Sequence, residues 1–199
     1  MARPIAKDHG AKRLHILREA ARVFAEVGIA RASMAQVAVA CGVSKANIYH
    51  YYDSKDALLF DILDSYLSAL RDRLVGLDLV DLEPSSQLLS FVTEVLLAYD
   101  GMDAEHQIQT EGIGVLAAAE QQVLKGYQRD MVRQLSGILQ GAAPAHLVSD
   151  KARLTATTMS VFGMLNWFYM WNSSADRAAR ESYAAHVSGL VLGCQKSYS

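Results

Sequence analysis

Residues 33–55 read SMAQVAVACGVSKANIYHYYDSK, and the spacing of their apolar residues predicts two short helices joined by a tight turn. Ser33 stands where its hydroxyl can cap the first helix, and Ser44 stands in the same place before the second. Gly42 ends the first helix, because glycine takes a left-handed turn without steric cost. Four residues at i, i+3, i+4 and i+7 form the apolar face of the first helix: Met34, Val37, Ala38 and Cys41. This pattern is typical of a helix-turn-helix whose second helix fits a major groove.

The second helix of this pair carries an outward polar face that suits DNA. Ile48 and Tyr52 lie at i and i+4 and are predicted to face the first helix. A lysine, an asparagine, a tyrosine and a histidine point away, and these side chains can bind phosphates or base edges. Lys55 opens the next helix, where a helix N-terminus and a lysine can clamp a phosphate. The candidate DNA contacts are Ser33, Ser44, Lys45, Ala46, Asn47, Tyr49, His50 and Lys55. The alternative interpretation is an ordinary solvated helix face.

Charge is divided unevenly along the 199 residues, although the formal net charge is only −2. Residues 1–55 contain nine lysines and arginines against four acidic residues, a net of +5. Residues 56–199 contain ten against seventeen, a net of −7. A basic beginning on an acidic body is typical of a DNA-binding domain joined to a domain with another task, unless the asymmetry is chance.

Three segments together resemble the tetracycline-repressor (TetR/AcrR) family: ILREAARVFAEVG at 16–28, Ser33-Met34, and VAVACGVSKANIYHYYDSKDALL at 37–59. The resemblance implies an N-terminal three-helix DNA-binding domain and a C-terminal helical domain that binds a small molecule and forms a homodimer. Two residues depart from the family pattern, which commonly has Phe at position 52 and His at position 51. Tyr52 can still fill the core, but its hydroxyl needs a partner.

Low proline content and helical periodicity predict an all-α chain of about nine helices. Residues 1–10 are expected to form a basic arm that is not helical, because Pro4 and Gly10 disfavour helix. This arm either contacts DNA or is merely mobile. Residues 11–55 form the predicted helix-turn-helix domain, and the helix at 56–75 connects it to the remainder. Residues 76–199 form the predicted effector-binding and dimerisation domain.

The two last predicted helices, at about 150–171 and 177–196, indicate a dimer. The stretch 154–171 contains no charged residue, but its threonines, serine and asparagine argue against a membrane span. A helix that is apolar all round must be covered on two sides, so a second copy is expected to cover one of them. The predicted interface residues are Phe168, Trp171, Ala185, Gly189 and Gly193.

The resemblance also implies an effector pocket in the C-terminal domain. The candidate lining residues are Phe91, Val95, Gln107, Glu111, Tyr127, Met131, Phe162, Asn166 and Trp167, and for each of them ordinary core packing is the alternative. The stretch FGMLNWFYMW at 162–171 resembles the corresponding helix of members that respond to acyl-CoA thioesters. Lys125, Arg129 and Arg133 form a basic stripe that could hold the CoA phosphates or could simply be solvated.

The sequence thus predicts a DNA-binding regulator rather than an enzyme: a homodimer released from a palindromic operator by a hydrophobic effector, with an acyl-CoA thioester as the most specific version. No cofactor, metal-ligand spacing or catalytic motif is apparent, and Cys41 and Cys194 suggest no disulfide framework. The N-terminus lacks the apolar segment of a signal peptide, so a cytoplasmic location is expected. The alternatives are an all-α enzyme acting on an apolar substrate and a dimeric adaptor that does not bind DNA.

Overall fold

The computed structural model describes the backbone of residues 3–193 and the side chains of residues 10–193. Within these residues the chain forms ten helices and no strand, which confirms the all-α prediction. The helices are α1 Arg3–Val27, α2 Met34–Ala40, α3 Lys45–Tyr51, α4 Lys55–Val75, α5 Pro84–Ala98, α6 Asp103–Val115, α7 Ala118–Ala142, α8 Ala145–Val148, α9 Lys151–Trp171 and α10 Arg177–Leu192. The helix beyond the predicted nine is α8, a single turn of four residues.

Helix α1 begins at Arg3, so the prediction of a non-helical arm through Gly10 is wrong for residues 3–10. Pro4 lies in the first turn, where its missing N–H would have had no helical partner in any case. Gly10 costs an exposed helix only about 1 kcal/mol relative to alanine, and a helix of 25 residues absorbs that cost. Residues 1 and 2 of the predicted arm lie outside the described residues.

The break between α6 and α7 falls at Leu116 and Ala117. The end of α10 differs from its predicted position. Helix α10 ends at Leu192 because Gly193 adopts a left-handed conformation with φ of 71° and closes the last turn. Residues 194–196, which were predicted to continue this helix and include Cys194, lie outside the described residues.

The chain divides into two compact units, and each unit combines two separate stretches of the chain. The first unit contains the residues up to Ser68 together with Ala104–Lys125. The second contains Ala69–Asp103 together with the residues from Gly126 onward. Most of α6 and the start of α7 therefore belong with the helix-turn-helix rather than with the remainder of the C-terminal half.

Close packing of α6 explains why it belongs to the first unit. A Cβ placed on Gly112 would lie 3.1 Å from Leu63 Cδ1, 3.3 Å from Ile29 Cδ1 and 3.4 Å from Leu59 Cδ1. Glycine thus allows the α6 backbone to approach α4 and the connector after α1 closely. Such long-range packing is not visible as a periodic pattern in the sequence.

In the second unit, Arg180 joins α10 to α5. Its side chain is 4% exposed, and its Nη1 donates to Leu96 O at 3.0 Å while its Nη2 donates to Asp100 Oδ1 at 3.1 Å. The guanidinium also lies 5.9 Å from the ring centroid of Phe168 on α9. A buried charge is acceptable here because carbonyl and carboxylate oxygens receive its hydrogen bonds.

Candidate nucleic-acid interface

The helix-turn-helix is built by local capping, as predicted. Ser33 Oγ accepts a hydrogen bond from Gln36 N at 3.3 Å, and Gln36 Oε1 accepts one from Ser33 N at 2.9 Å, which makes a reciprocal capping box. Gly42 has φ of +67°, a left-handed conformation that favours glycine at the turn. Ser44 Oγ accepts from Asn47 N at 3.2 Å and caps α3. The start and the orientation of both helices are therefore fixed by short-range hydrogen bonds.

One side of α3 is buried and the opposite side is open to solvent. Ile48 is fully buried and Tyr52, which ends the helix, is 8% exposed, so the predicted inward face is confirmed. The other predicted α3 contacts are exposed side chains: Lys45, Ala46, Asn47, Tyr49 and His50. The structure thus brings these five residues together on one accessible helix face. Ser33 and Ser44 are also exposed, at the starts of α2 and α3.

The exposed face of α3 offers a cation, an amide and ring donors within two turns. The Lys45 ammonium lies 5.7 Å from the ring centroid of Tyr49, one helical turn away. The His50 and Tyr51 rings meet edge to face with centroids 5.8 Å apart. A short basic and aromatic surface of this kind can hydrogen-bond to phosphates and base edges and can pack against sugars.

Lys55 occupies a different position from the one predicted. Its Nζ donates to three backbone carbonyl oxygens, at 2.7 Å to Ile29, 3.2 Å to Ala30 and 3.1 Å to Ala32. An ammonium has three donors, and all three have partners in the connector between α1 and α2. The predicted phosphate clamp at Lys55 is therefore not available in this structure, and the side chain instead closes the connector.

A charged cluster behind α3 was not predicted from the sequence. Tyr52 OH donates to Asp61 Oδ2 at 2.5 Å, and Arg13 Nε donates to the same oxygen at 2.9 Å. Arg13 Nη2 also contacts Asp61 Oδ1 and donates to Ser65 Oγ at 3.2 Å. Burial, and next the hydrogen bond to Asp61, raise the pKa of the Tyr52 hydroxyl, so it stays protonated. The tyrosine in place of the usual phenylalanine was the one available signal.

Comparison with protein families identifies the chain. The model described as "Bacterial regulatory proteins, tetR family" matches residues 16–62. The model described as "Tetracyclin repressor-like, C-terminal domain" matches residues 81–194, which is more than half of the chain. The chain belongs to the TetR family. The second match lies wholly outside the helix-turn-helix, so the similarity of this TetR-family protein to its family extends into the C-terminal part of the chain.

Individual relatives match over shorter stretches. The TetR-family chain is 30% identical over 109 residues to the HTH-type transcriptional repressor KstR2 of Rhodococcus jostii, covering 53% of this chain and 52% of that protein. It is 40% identical over 57 residues to the HTH-type transcriptional repressor Rv1474c of Mycobacterium tuberculosis, covering 28% and 30%. The matched stretches thus span about half of the first relative's length and less of the second's.

Solved structures share the fold over nearly the whole chain. A TetR-family regulator from Bordetella parapertussis superposes with a TM-score of 0.82 at 27% identity, covering 90% of this chain and 93% of that one. AibR in complex with isovaleryl coenzyme A and operator DNA superposes with a TM-score of 0.75 at 23% identity, covering 91% and 98%. The second likeness shows the fold alone.

The effector candidates of this TetR-family chain are divided between its two units. Gln107 and Glu111 belong to the first unit and are exposed, and Gln107 Nε2 donates to Ala25 O at 3.3 Å. Trp167 is also exposed, at 61%. Trp167 belongs to the second unit together with the remaining six candidates, which are Phe91, Val95, Tyr127, Met131, Phe162 and Asn166. The predicted set is therefore distributed over both units, and it stays a prediction.

Two candidates of the second unit form a buried aromatic pair, and a third accepts a hydrogen bond from a buried tyrosine outside the candidate set. Phe91 and Phe162 meet edge to face with centroids 6.3 Å apart. Tyr99 OH donates to Asn166 Oδ1 at 2.7 Å. Burial raises the pKa of the Tyr99 hydroxyl, so this donor keeps its proton. These contacts are compatible with core packing as well as with a ligand nearby.

The basic stripe on α7 is exposed, and two of its three members have partners on their own helix. Lys125 Nζ donates to Gln121 Oε1 at 2.8 Å, and Arg133 Nη1 donates to Asp130 Oδ1 at 3.1 Å. The contacts of Lys125 and Arg133 thus support the alternative interpretation of the stripe, in which these side chains form an ordinary solvated helix face.

The predicted interface residues differ in exposure, and the prediction is wrong for Phe168. Phe168 is 2% exposed and stacks on Tyr183 with centroids 4.7 Å apart, so it belongs to the core of its own subunit. Val161, Leu165 and Phe168 share the inward face of α9, and the sequence did not distinguish this face because the helix is apolar on all sides. Trp171 and Ala185 are exposed and Gly189 is half-buried, while exposed Gly193 serves as the cap of α10.

Neither a metal site nor a membrane-spanning helix is found within residues 3–193. No group of three or more His, Cys, Asp or Glu side chains could hold a metal ion in this part of the chain. None of the described helices combines the length and the apolar character that crossing a bilayer requires, including α9 with its uncharged stretch.

Proposed function

We propose that this TetR-family chain is a homodimeric transcriptional repressor that binds a palindromic operator in the cytoplasm and leaves it when a hydrophobic effector binds. The observation that carries the proposal is α3, which is anchored by buried Ile48 and Tyr52 and presents five exposed side chains on its other face. The net charge of +5 in residues 1–55 supports binding to a polyanion. KstR2 and Rv1474c, whose names describe repressors, support the direction of regulation.

Each exposed residue of α3 has a proposed role on DNA. Lys45 lies in the first turn of the helix, where it would bind a phosphate or a guanine. Asn47 would bond to a base edge, and Tyr49 and His50 would contact phosphate, sugar or a thymine methyl group. Ser33 and Ser44 would add hydroxyl and backbone donors at helix N-termini. Lys55 is removed from this proposed set because its donors already have partners.

Replacing Lys45 by methionine should weaken binding to every duplex and lower the salt dependence. Loss of one phosphate contact reduces the slope of log K against log salt by about one. Folding should be unaffected, because the Lys45 side chain is exposed. Affinity measured between low and moderate salt checks this expectation, with circular dichroism melting as the control. A slope equal to that of the wild-type protein would exclude Lys45 from the contacts.

The homodimer is proposed to form through α9 and α10. Five large side chains are more than half exposed on these two helices: Met159 at 52%, Trp167 at 61%, Met170 at 54%, Trp171 at 57% and Leu190 at 58%. Exposed tryptophan and methionine in such density mark an interaction surface. Ser160, Met164, Trp167 and Trp171 lie on one side of α9, at i, i+4, i+7 and i+11.

A groove adjoins this exposed side of α9. It has a volume of about 340 Å³ and is lined by residues of α9 and α10 that include Ser160, Met164 and Leu190. In an isologous interface each subunit presents the same surface to the other. The exposed side of α9 in one subunit could therefore pack into the groove of the second subunit, and the reverse. A two-fold pair of these helices would make a four-helix bundle. Binding to two half-sites of a palindromic operator would require the two α3 helices to lie about one DNA turn, roughly 34–36 Å, apart.

The effector is proposed to bind within the second unit and to be hydrophobic. Phe91, Val95, Met131 and Phe162 provide the apolar side chains, and Asn166 provides a polar group. An acyl-CoA thioester is the most specific version, and it is supported by AibR, a protein of the same fold whose structure is of a complex with isovaleryl coenzyme A and operator DNA. Binding would favour a state in which the two α3 helices no longer match the half-site spacing.

A DNA-release assay tests the effector proposal. The protein on a duplex selected from a random pool is titrated with acyl-CoAs, free fatty acids and cationic drugs. At least one acyl-CoA should release the DNA, whereas free CoA should not. Because coupling is reciprocal, the selected duplex should lower the affinity for that thioester by the same factor. Failure of every thioester to release the DNA would eliminate the acyl-CoA version.

A further inference from the structure

Three helices of the first unit meet at one carboxylate. Asp61 of α4 accepts a hydrogen bond from the Tyr52 hydroxyl at the end of α3, at 2.5 Å, and one from Arg13 Nε of α1, at 2.9 Å. The Asp61 side chain is only 21% exposed, so water competes weakly for it. The burial of Ile48, which also holds α3, is apolar and has no preferred direction.

Arg13 keeps this carboxylate in place. Its guanidinium contacts both oxygens of Asp61 and also donates to Ser65 Oγ at 3.2 Å, one turn further along α4. Such two-point pairing fixes the plane of the carboxylate. The oxygen offered to Tyr52 OH therefore has a defined position, and the C-terminal end of α3 is held at one place relative to α1 and α4.

We propose that Tyr52 and Asp61 are positioning residues that set the orientation of α3, so that they control discrimination between DNA sequences and not the general attraction to DNA. The inference rests on the proposed function of α3. Base contacts require side chains placed within about half an ångström, whereas attraction to phosphates depends mainly on net charge. If α3 is no longer held in one orientation, it keeps its charges, but its side chains are no longer aligned with the base edges.

Tyr52→Phe tests the proposal, because it removes the hydroxyl and keeps the buried ring. Affinity is measured for a duplex that the wild-type protein selects from a random pool and for an unrelated duplex of equal length. Affinity for the selected duplex should fall about tenfold, as expected for one hydrogen bond to a charged group. Affinity for the unrelated duplex should stay within about twofold, and the salt slope should not change.

Tyr66→Phe is the matched control. Tyr66 is also a buried tyrosine of the first unit, and its hydroxyl contacts His106 Nδ1 at 3.1 Å. This variant should lose comparable thermal stability but keep the wild-type ratio between the two duplexes. Asp61→Asn keeps an acceptor for the Tyr52 hydroxyl. The ratio of its affinities for the two duplexes should therefore lie between those of the wild-type protein and Tyr52→Phe. The double variant Tyr52→Phe/Asp61→Leu should discriminate between the two duplexes only slightly less than Asp61→Leu alone, because both substitutions remove the same hydrogen bond.

Two results would overturn the inference. One is an equal loss of affinity for both duplexes in Tyr52→Phe, and the other is an equal loss of discrimination in Tyr66→Phe. A wild-type protein that enriches no sequence from the pool would instead refute the proposed function, and the two failures are therefore distinguishable.

Discussion

Trp167→Glu should convert the proposed dimer to a monomer and reduce operator affinity by at least about 10³-fold. Trp167 lies in the middle of the exposed side of α9 and is 61% exposed in one subunit. Covering on the order of 150 Å² of indole contributes roughly 3–4 kcal/mol per subunit. The substitution removes this contribution twice in a symmetric dimer and places two carboxylates where water would be excluded.

Loss of the dimer should affect DNA more than loss of any contact on α3. A monomer covers one half-site, so it loses the gain that comes from binding both halves at once. Sedimentation velocity at micromolar concentration measures the mass, and fluorescence anisotropy on the selected duplex measures the affinity.

Val80→Glu is the control for adding a charge to an exposed apolar residue. Val80 is 86% exposed in the connector between α4 and α5, away from α9 in the chain. It should leave both mass and affinity unchanged. If Trp167→Glu remains a dimer at micromolar concentration, the proposed interface on α9 is refuted.

Lys55→Met should destabilise the protein and leave the salt dependence of DNA binding unchanged. Methionine keeps most of the apolar stem and removes the ammonium that serves Ile29, Ala30 and Ala32. The loss should be about 2 kcal/mol, in the range expected for hydrogen bonds to a charged group. Urea unfolding monitored by circular dichroism measures this free energy.

Lys45→Met is the reciprocal control for Lys55→Met. The two lysines are ten residues apart, but one ammonium is exposed and the other is bound to the connector. Lys45→Met should change the salt slope without changing stability, and Lys55→Met should do the opposite. A reduced salt slope in Lys55→Met would return this residue to the DNA contacts.

Local chemistry made the helix-turn-helix predictable. Ser33, Gly42 and Ser44 act on their own neighbours within four residues, so their roles follow from sequence spacing. The burial of Ile48 and Tyr52 follows from helical periodicity in the same way. The exposed face of α3 could be predicted because it is the remainder of a short helix whose other side is apolar.

Contacts between distant residues could not be predicted. Lys55 binds carbonyls 23 to 26 residues away, and Arg13 reaches Asp61 across 48 residues. A lysine at a helix N-terminus suits a phosphate and a carbonyl cluster equally well, and only the fold decides between them. The same applies to Phe168, which lies on an apolar helix where periodicity cannot say which side meets a partner.

The placement of α6 in the first unit has a consequence for dissecting the protein. The polypeptide crosses from one unit to the other after Ser68, Asp103 and Lys125, so no single cleavage separates them. A fragment truncated after α4 would leave bare the surface of Leu59 and Leu63 against which Gly112 packs. Such a fragment would be prone to aggregation. An isolated N-terminal fragment is therefore poorly suited to studying how this protein recognises its target.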